Sequence, residues 1–210
     1  MPGGAHDSHD HVLENGEIMT NEMPMILDDA SAMVRWFIDR GTVITTDEYE
    51  VASTRLGRAR GPELLSGLWD VGFTDANTAA DAFLSTWIMA EWPGRSLDAD
   101  EWLEMFGSVG FTRDGRVARR PEKAVTLYRA ALPAHAEGMT WTDNLEVLDF
   151  FADTRGSNAA FDVPHLRYRA TVVDPPFLLA EVTGAYDNGR GAEVQWIVDP
   201  LGLDGIEVIS

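Results

Sequence analysis

A guanidinium, a pair of hydroxyls and a carboxylate stand far apart in the second half of this sequence, each inside a short run of strand-forming residues. Arg129 lies midway along VTLYRAAL (125–132), a run otherwise mostly apolar. Thr140 and Thr142 flank Trp141 in MTWT (139–142), and Glu193 opens EVQWIVDP (193–200) after a glycine-rich stretch. Strand alternation turns the two hydroxyls to one face and the indole between them to the other, where it packs. The planar fork of a guanidinium suits a pyrophosphate, above all in a chain that is otherwise strongly acidic. A carboxylate beside a ribose stabilises the positive charge that develops as a bond to the anomeric carbon breaks, and it accepts a hydrogen bond from a sugar hydroxyl. Tyr128, Phe150, Phe151, Tyr168 and Tyr186 offer aromatic surface for a flat ring, and the sequence does not choose among them.

Taken singly, each of these residues has an ordinary structural reading: a strand Arg in a salt bridge, Thr-Trp-Thr as plain sheet alternation, a solvated Glu after a loop. Their order says more. LYRA (127–130), GMTWTDNLEVLDFFA (138–152) and GAEVQWIVDP (191–200) occur in an order that resembles the arginine, serine/threonine, glutamate class of ADP-ribosyltransferases. Within that class the chain is similar to phage and actinobacterial proteins with Tyr-Arg-Gly and Gly-x-Ser-Trp-Thr motifs, over roughly residues 87 to 203. The resemblance implies a mostly antiparallel two-sheet core that binds NAD as substrate, cleaves the nicotinamide-ribose bond and passes ADP-ribose to a protein or other macromolecular acceptor, or to water. For a phage-encoded protein it implies a host factor as target. It gives Glu193, Arg129 and Thr140 catalytic roles and sets Tyr128, Arg129, Thr140, Trp141, Thr142 and Phe151 around NAD.

Three departures from the family pattern bear on turnover. Ala130 follows the Arg where the family often has Gly, which narrows the approach of backbone to ligand. Thr140 replaces Ser, keeping the hydroxyl but stiffening its rotamer. Gly191 stands two before Glu193, where transferases carry Gln or Glu, so activation of an acceptor by that position is lost while hydrolysis by water survives. The alternative reading is therefore a transferase fold without turnover, an acidic binding protein that sequesters a host or basic partner. A glycosidase-like site using Glu193 with Asp187 or Asp199 ranks below both, since nothing sets the carboxylate separation.

Composition narrows the field. The formal net charge is −19 over 210 residues, which disfavours nonspecific binding to nucleic acid or anionic membranes. There is no cysteine, so disulfides and thiolate metal sites are excluded. The start lacks the basic and apolar regions of a signal peptide, and the expected location is the cytoplasm, of a host if phage-encoded. His6, His9 and His11 with Asp7 and Asp10 sit in a polar tail that implies no preformed geometry, and no metal is assigned.

The elements that must carry the site follow from periodicity. Residues 1–24 read as a flexible acidic and His-containing tail, 25–120 as a helical portion, and 121–210 as the β-rich domain. Asp28 or Asp29 caps a helix with Ala32, Met33, Trp36 and Phe37 on one face before Gly41. Starts follow at Thr46 and Pro62, a helix spans Thr78 to Trp92, and Ser96 or Asp98 caps another with Trp102, Leu103 and Phe106 buried. Strands are predicted at 125–132, 139–142, 166–173, 177–183, 193–200 and 206–210, with one helix over 144–153. The fold class is α+β: a helical N-terminal portion packed on the sheet core.

Overall fold

A computed structural model of the chain describes residues 11–12, 18–19, 29–90, 93–156, 165–184 and 194–209. Two short strands, β1 (His11–Val12) and β2 (Ile18–Met19), pair within the segment expected to be a tail. Helix α1 (Ala30–Arg40) begins where the Asp29 carboxylate accepts the Ala32 N–H at 3.0 Å and ends at Gly41 in the left-handed conformation. Helix α2 (Thr46–Leu56) is entered through a reciprocal capping box between Thr45 and Glu48. Helix α3 (Gly61–Trp69) carries Pro62 in its first turn, where the missing N–H costs nothing. Asp75 caps α4 (Ala76–Met89), and after the four-residue α5 (Pro93–Ser96), Asp98 and Glu101 form the capping box of α6 (Ala99–Val109). The stripes these caps align meet in one core, where Phe37, Leu65, Phe83, Trp102 and Phe106 are fully buried. Trp87 and Trp102 pack edge to face with centroids 5.0 Å apart. Tryptophan thus serves helix packing at these positions.

The remaining strands are β3 (Thr112–Arg113), β4 (Arg116–Val117), β5 (Val125–Ala131), β6 (Thr140–Thr142), β7 (Leu166–Val172), β8 (Leu178–Thr183), β9 (Val194–Val198) and β10 (Leu203–Ile209), with helix α7 (Leu145–Gly156) between β6 and β7. They form one eight-stranded sheet in the order β10-β7-β5-β6-β9-β8-β3-β4. All pairs are antiparallel except β3 with β8, so the sheet is mixed. Two sheets were expected; here two halves are joined through the three-residue β6, whose register with β5 is the single pair Tyr128↔Thr142. The β3–β4 hairpin turns through Asp114 and Gly115, both at positive φ, and it adds a piece of the region assigned to helices to the edge of the sheet.

The two faces of the sheet differ. Helices α1 to α4 and α6 share their core with Met139, Leu179, Ala180, Val182 and Ile197, so one face of β8–β9 is covered by the helical portion. On β8 the consecutive Leu179 and Ala180 both reach this core because a register shift between Leu178 and Ala180 inserts one residue. The other face closes over a second core of Phe111, Leu127, Trp141, Tyr168, Val172, Leu178, Trp196 and Val198. Since the first core contains both helical and strand residues, the portions drawn at residue 121 share an interior. Among the described residues no helix is long and apolar enough to cross a membrane.

Candidate functional site

The strand order brings the sequence motifs to neighbouring positions. β5 carries Arg129, β6 carries Thr140 and Thr142, and β9 begins one residue after Glu193; these are consecutive strands of the sheet. Glu193, Gly191 and Tyr186 lie outside the described residues.

Register decides which side chains share a face. Thr142 pairs with Tyr128 on one side and Gln195 on the other, and Thr140 pairs with Ile197, so Tyr128, Thr140, Thr142, Gln195 and Ile197 point to the helix-covered face. Trp141 pairs with Trp196, and Arg129 pairs with the buried Tyr168, which turns all four toward the second core. The separation of Thr140 and Thr142 from the indole between them is as alternation requires. Arg129 falls on the face opposite to the two hydroxyls, since it neighbours Tyr128 by one residue.

The Arg129 guanidinium has work on that face. Its Nε donates to the His135 carbonyl at 3.2 Å, and its Nη1 donates to the Thr140 carbonyl. A Cβ on Gly138 would lie 2.6 Å from its Cζ, so the guanidinium rests on the bare backbone of that glycine. Trp141 completes the arrangement by donating from its indole N–H to the Gly138 carbonyl at 2.6 Å. Together these side chains fasten the connection between β5 and β6, including the short helical turn Pro133–His135, across the place where the two strands pair least. Two donors of the Arg129 guanidinium are thus directed at the protein's own backbone carbonyls, and the Trp141 ring is 2% exposed.

The other expected site residues are distributed as follows. The Thr142 hydroxyl donates to the Val194 carbonyl at 2.8 Å and accepts the Asn144 N–H at 3.1 Å, so it ties β6 to β9 and to the start of α7. Thr140 is half-buried with its hydroxyl on the same face, one pair further along. Phe151 lies on α7, edge to face with Phe150 at 5.5 Å, and α7 packs on β5, β6 and β7. Arg167 of β7 anchors that helix by binding Asp149 at 2.8 Å and Asp153 at 2.9 Å, and those carboxylates raise its pKa. Of the aromatic candidates on described strands, Tyr168 is 5% exposed in the second core and Tyr128 shares the hydroxyl face by register.

Sequence reasoning passed over Gln195. Its signal was present, a lone amide in the apolar run VQWIV two residues beyond Glu193, but only the pairing with Thr142 shows that it joins the hydroxyl face. A separate cleft of about 440 Å³ lies in the helical portion between α2 and α4, lined by Thr46, Ser53, Arg58, Asp81 and Ser85 among others. None of the residues predicted from the motifs borders it. Beside it, Tyr49 and Thr86 share a buried hydrogen bond of 2.5 Å, and burial pushes the Tyr49 phenol well above its usual pKa.

Comparison with protein-family models, with curated proteins and with solved structures returns no match to this chain.

Proposed function

We propose that the chain is an ADP-ribosyltransferase-like protein that binds NAD on the helix-covered face of β5, β6 and β9 and cleaves the nicotinamide-ribose bond. The observation that carries this reading is the strand order: motifs that begin at residues 127, 138 and 191 lie on three consecutive strands. In this reading Glu193 supplies the carboxylate that stabilises the oxocarbenium-like state, Thr140 orients the ribose, and Arg129 holds the β5–β6 connection in place behind them. The absence of an acceptor-activating side chain at Gly191 favours water or a self-activated nucleophile as the second substrate. Incubation of the purified protein with NAD labelled in its adenylate moiety, with and without cell lysate, tests it. Nicotinamide release or label transfer by the wild type, abolished in Glu193→Ala, is the expected result. Equal, background-level behaviour of both proteins overturns it.

A second reading is favoured by one specific observation. Both Arg129 and Thr142 spend hydrogen bonds on the protein's own backbone, and a chain of net charge −19 is suited to a basic partner. In this reading the fold is kept and turnover lost. Calorimetry showing no NAD binding at millimolar concentration, together with a salt-sensitive complex with a basic macromolecule, selects it over the first.

A further inference from the structure

The cleft between α2 and α4 is lined by side chains of both charges, and two hydrogen bonds fix how its walls face each other. Thr46 and Thr78, 32 residues apart, join their hydroxyls at 3.2 Å, and Arg58 Nε donates to the Met89 carbonyl, 31 residues on, at 2.7 Å. A nearly constant offset means that the two helices run parallel. By that offset Glu50 and Asp81 share one level of the cleft, Ser53 faces Ser85 about one turn further along, and Gly57 faces Met89 at the end. Beyond the Tyr49–Thr86 bond the facing residues Ser53, Gly57, Ala82 and Ser85 are too small to close the gap, which leaves a volume of about 440 Å³, the size of a small-molecule site.

Charge is divided along this cleft. Among the described residues no ion pair engages the carboxylate of Glu50 or Asp81. Asp81 lies against the bare backbone of Gly115 in the β3–β4 turn, where a Cβ would come within 2.7 Å of its Oδ1, so that wall is backed by the sheet. At the other end the Arg58 guanidinium is tied to Met89 through Nε, and among the described residues its terminal nitrogens carry no further bond. Asp81 and Met89 are eight residues apart on α4, so the carboxylate pair and the guanidinium stand about 12 Å apart. Between them the Ser53 and Ser85 hydroxyls donate to the Glu50 and Ala82 carbonyls of their own helices and keep lone pairs that can accept an N–H. A polyamine would meet Arg58 at one end, and a dianion would meet the two carboxylates at the other. A zwitterion about 10–12 Å long matches both ends, and three extended residues of a peptide span about 10–11 Å.

We propose that the α2–α4 cleft binds a short free peptide of about three small residues, its terminal ammonium held by Glu50 and Asp81 and its terminal carboxylate by the open side of the Arg58 fork. The site stands apart from the hydroxyl face of β5, β6 and β9, and it does not depend on NAD binding there.

The test titrates wild type, Glu50→Gln/Asp81→Asn and Arg58→Met with trialanine, N-acetyl-trialanine and trialanine amide by calorimetry, with thermal melts to confirm that each variant is folded. Wild type binds trialanine and loses about tenfold or more in affinity when either terminus is capped. In Glu50→Gln/Asp81→Asn the free and acetylated peptides bind alike, within about threefold, while amidation still weakens binding; in Arg58→Met the free peptide and its amide bind alike, while acetylation still weakens it. A folding defect cannot produce that exchange, because it weakens all three peptides together. No binding of trialanine to wild type at about 10 mM overturns the proposal, as do variants that weaken all three peptides by the same factor. Tighter binding of an oligolysine peptide, indifferent to amidation of its carboxyl end, also overturns it, because the cleft then serves as a surface for basic chains.

Discussion

If the Arg129 guanidinium is a structural fastener, then the residue it rests on should be as sensitive as Arg129 itself, and Gly138→Ala is the cleanest perturbation. The φ angle of Gly138 lies outside the left-handed range, so alanine meets no backbone strain there. Its Cβ, however, would collide with Nη2 of Arg129 and sit 2.6 Å from Cζ and 3.0 Å from Nη1, and the far end of that flexible side chain must leave. What is lost is the pair of charge-assisted bonds to the His135 and Thr140 carbonyls. Such bonds contribute about 1.5–3 kcal/mol each when shielded, and the partial exposure of this pair brings their sum to about 2–3 kcal/mol. Restricting the unfolded chain by Gly→Ala returns about 0.4–1 kcal/mol, so the net loss is about 1–2 kcal/mol. With a urea m-value of about 3 kcal/mol/M for a chain of this size, the denaturation midpoint falls by about 0.5 M.

The decisive measurement is a double-mutant cycle with Arg129→Ala. In that background no guanidinium remains to be evicted, and Gly138→Ala becomes neutral or stabilising by about 0.4–1 kcal/mol. The coupling energy is then about 2–3 kcal/mol. A Gly138→Ala cost that is the same in both backgrounds, with coupling below about 0.5 kcal/mol, would refute the fastening role of Arg129.

Other expectations follow from the helical portion. Gly67→Ala places a Cβ 2.6 Å from a Val34 methyl where α1 and α3 pack, and destabilises by about 1–3 kcal/mol unless Val34 is trimmed to alanine as well, as thermal or urea melts of single and double variants would show. Tyr49→Phe leaves the buried Thr86 hydroxyl without its partner and costs about 1–2 kcal/mol in the same melts, while Tyr49→Phe with Thr86→Val recovers part of it. Burial alone would raise the pKa of Glu48, but the Arg40 guanidinium together with the Thr45 N–H and hydroxyl outweighs it and holds the carboxyl below its ordinary 4.5. The linked stability is therefore fully present above pH 4.5 and is lost as pH falls through the lower folded-state value, so Glu48→Gln should flatten the acid limb of a stability-versus-pH curve; an unchanged limb rejects the linkage.

Much of the local structure was legible in the residues. Asp29, Thr45 with Glu48, Pro62 and Asp98 with Glu101 open helices where capping chemistry says they should, and Gly41 closes one. The strands at β5, β6, β7, β8 and β9 lie within a residue or two of the β-branched and aromatic runs that announced them. These features are local: a side chain bonding its own backbone neighbours, or a period of two or 3.6, is written within a few residues. The β3–β4 strands escaped because two-residue strands have no period.

What the residues alone determined, then, is where the longer helices and the strands β5 to β9 lie, which side chains alternate within one strand, and that an Arg, two Thr and a Glu stand in a suggestive order. Tertiary structure decided the rest: that β6 joins both halves into one sheet, that Arg129 turns to the opposite face from Thr140 and Thr142, and that Gln195 lies beside Thr142. The physical reason is register. Alternation fixes relative direction inside a strand, but a shift of one residue between strands exchanges every face, and the pairing across β5, β6 and β9 is set by packing against two different cores rather than by any sequence run.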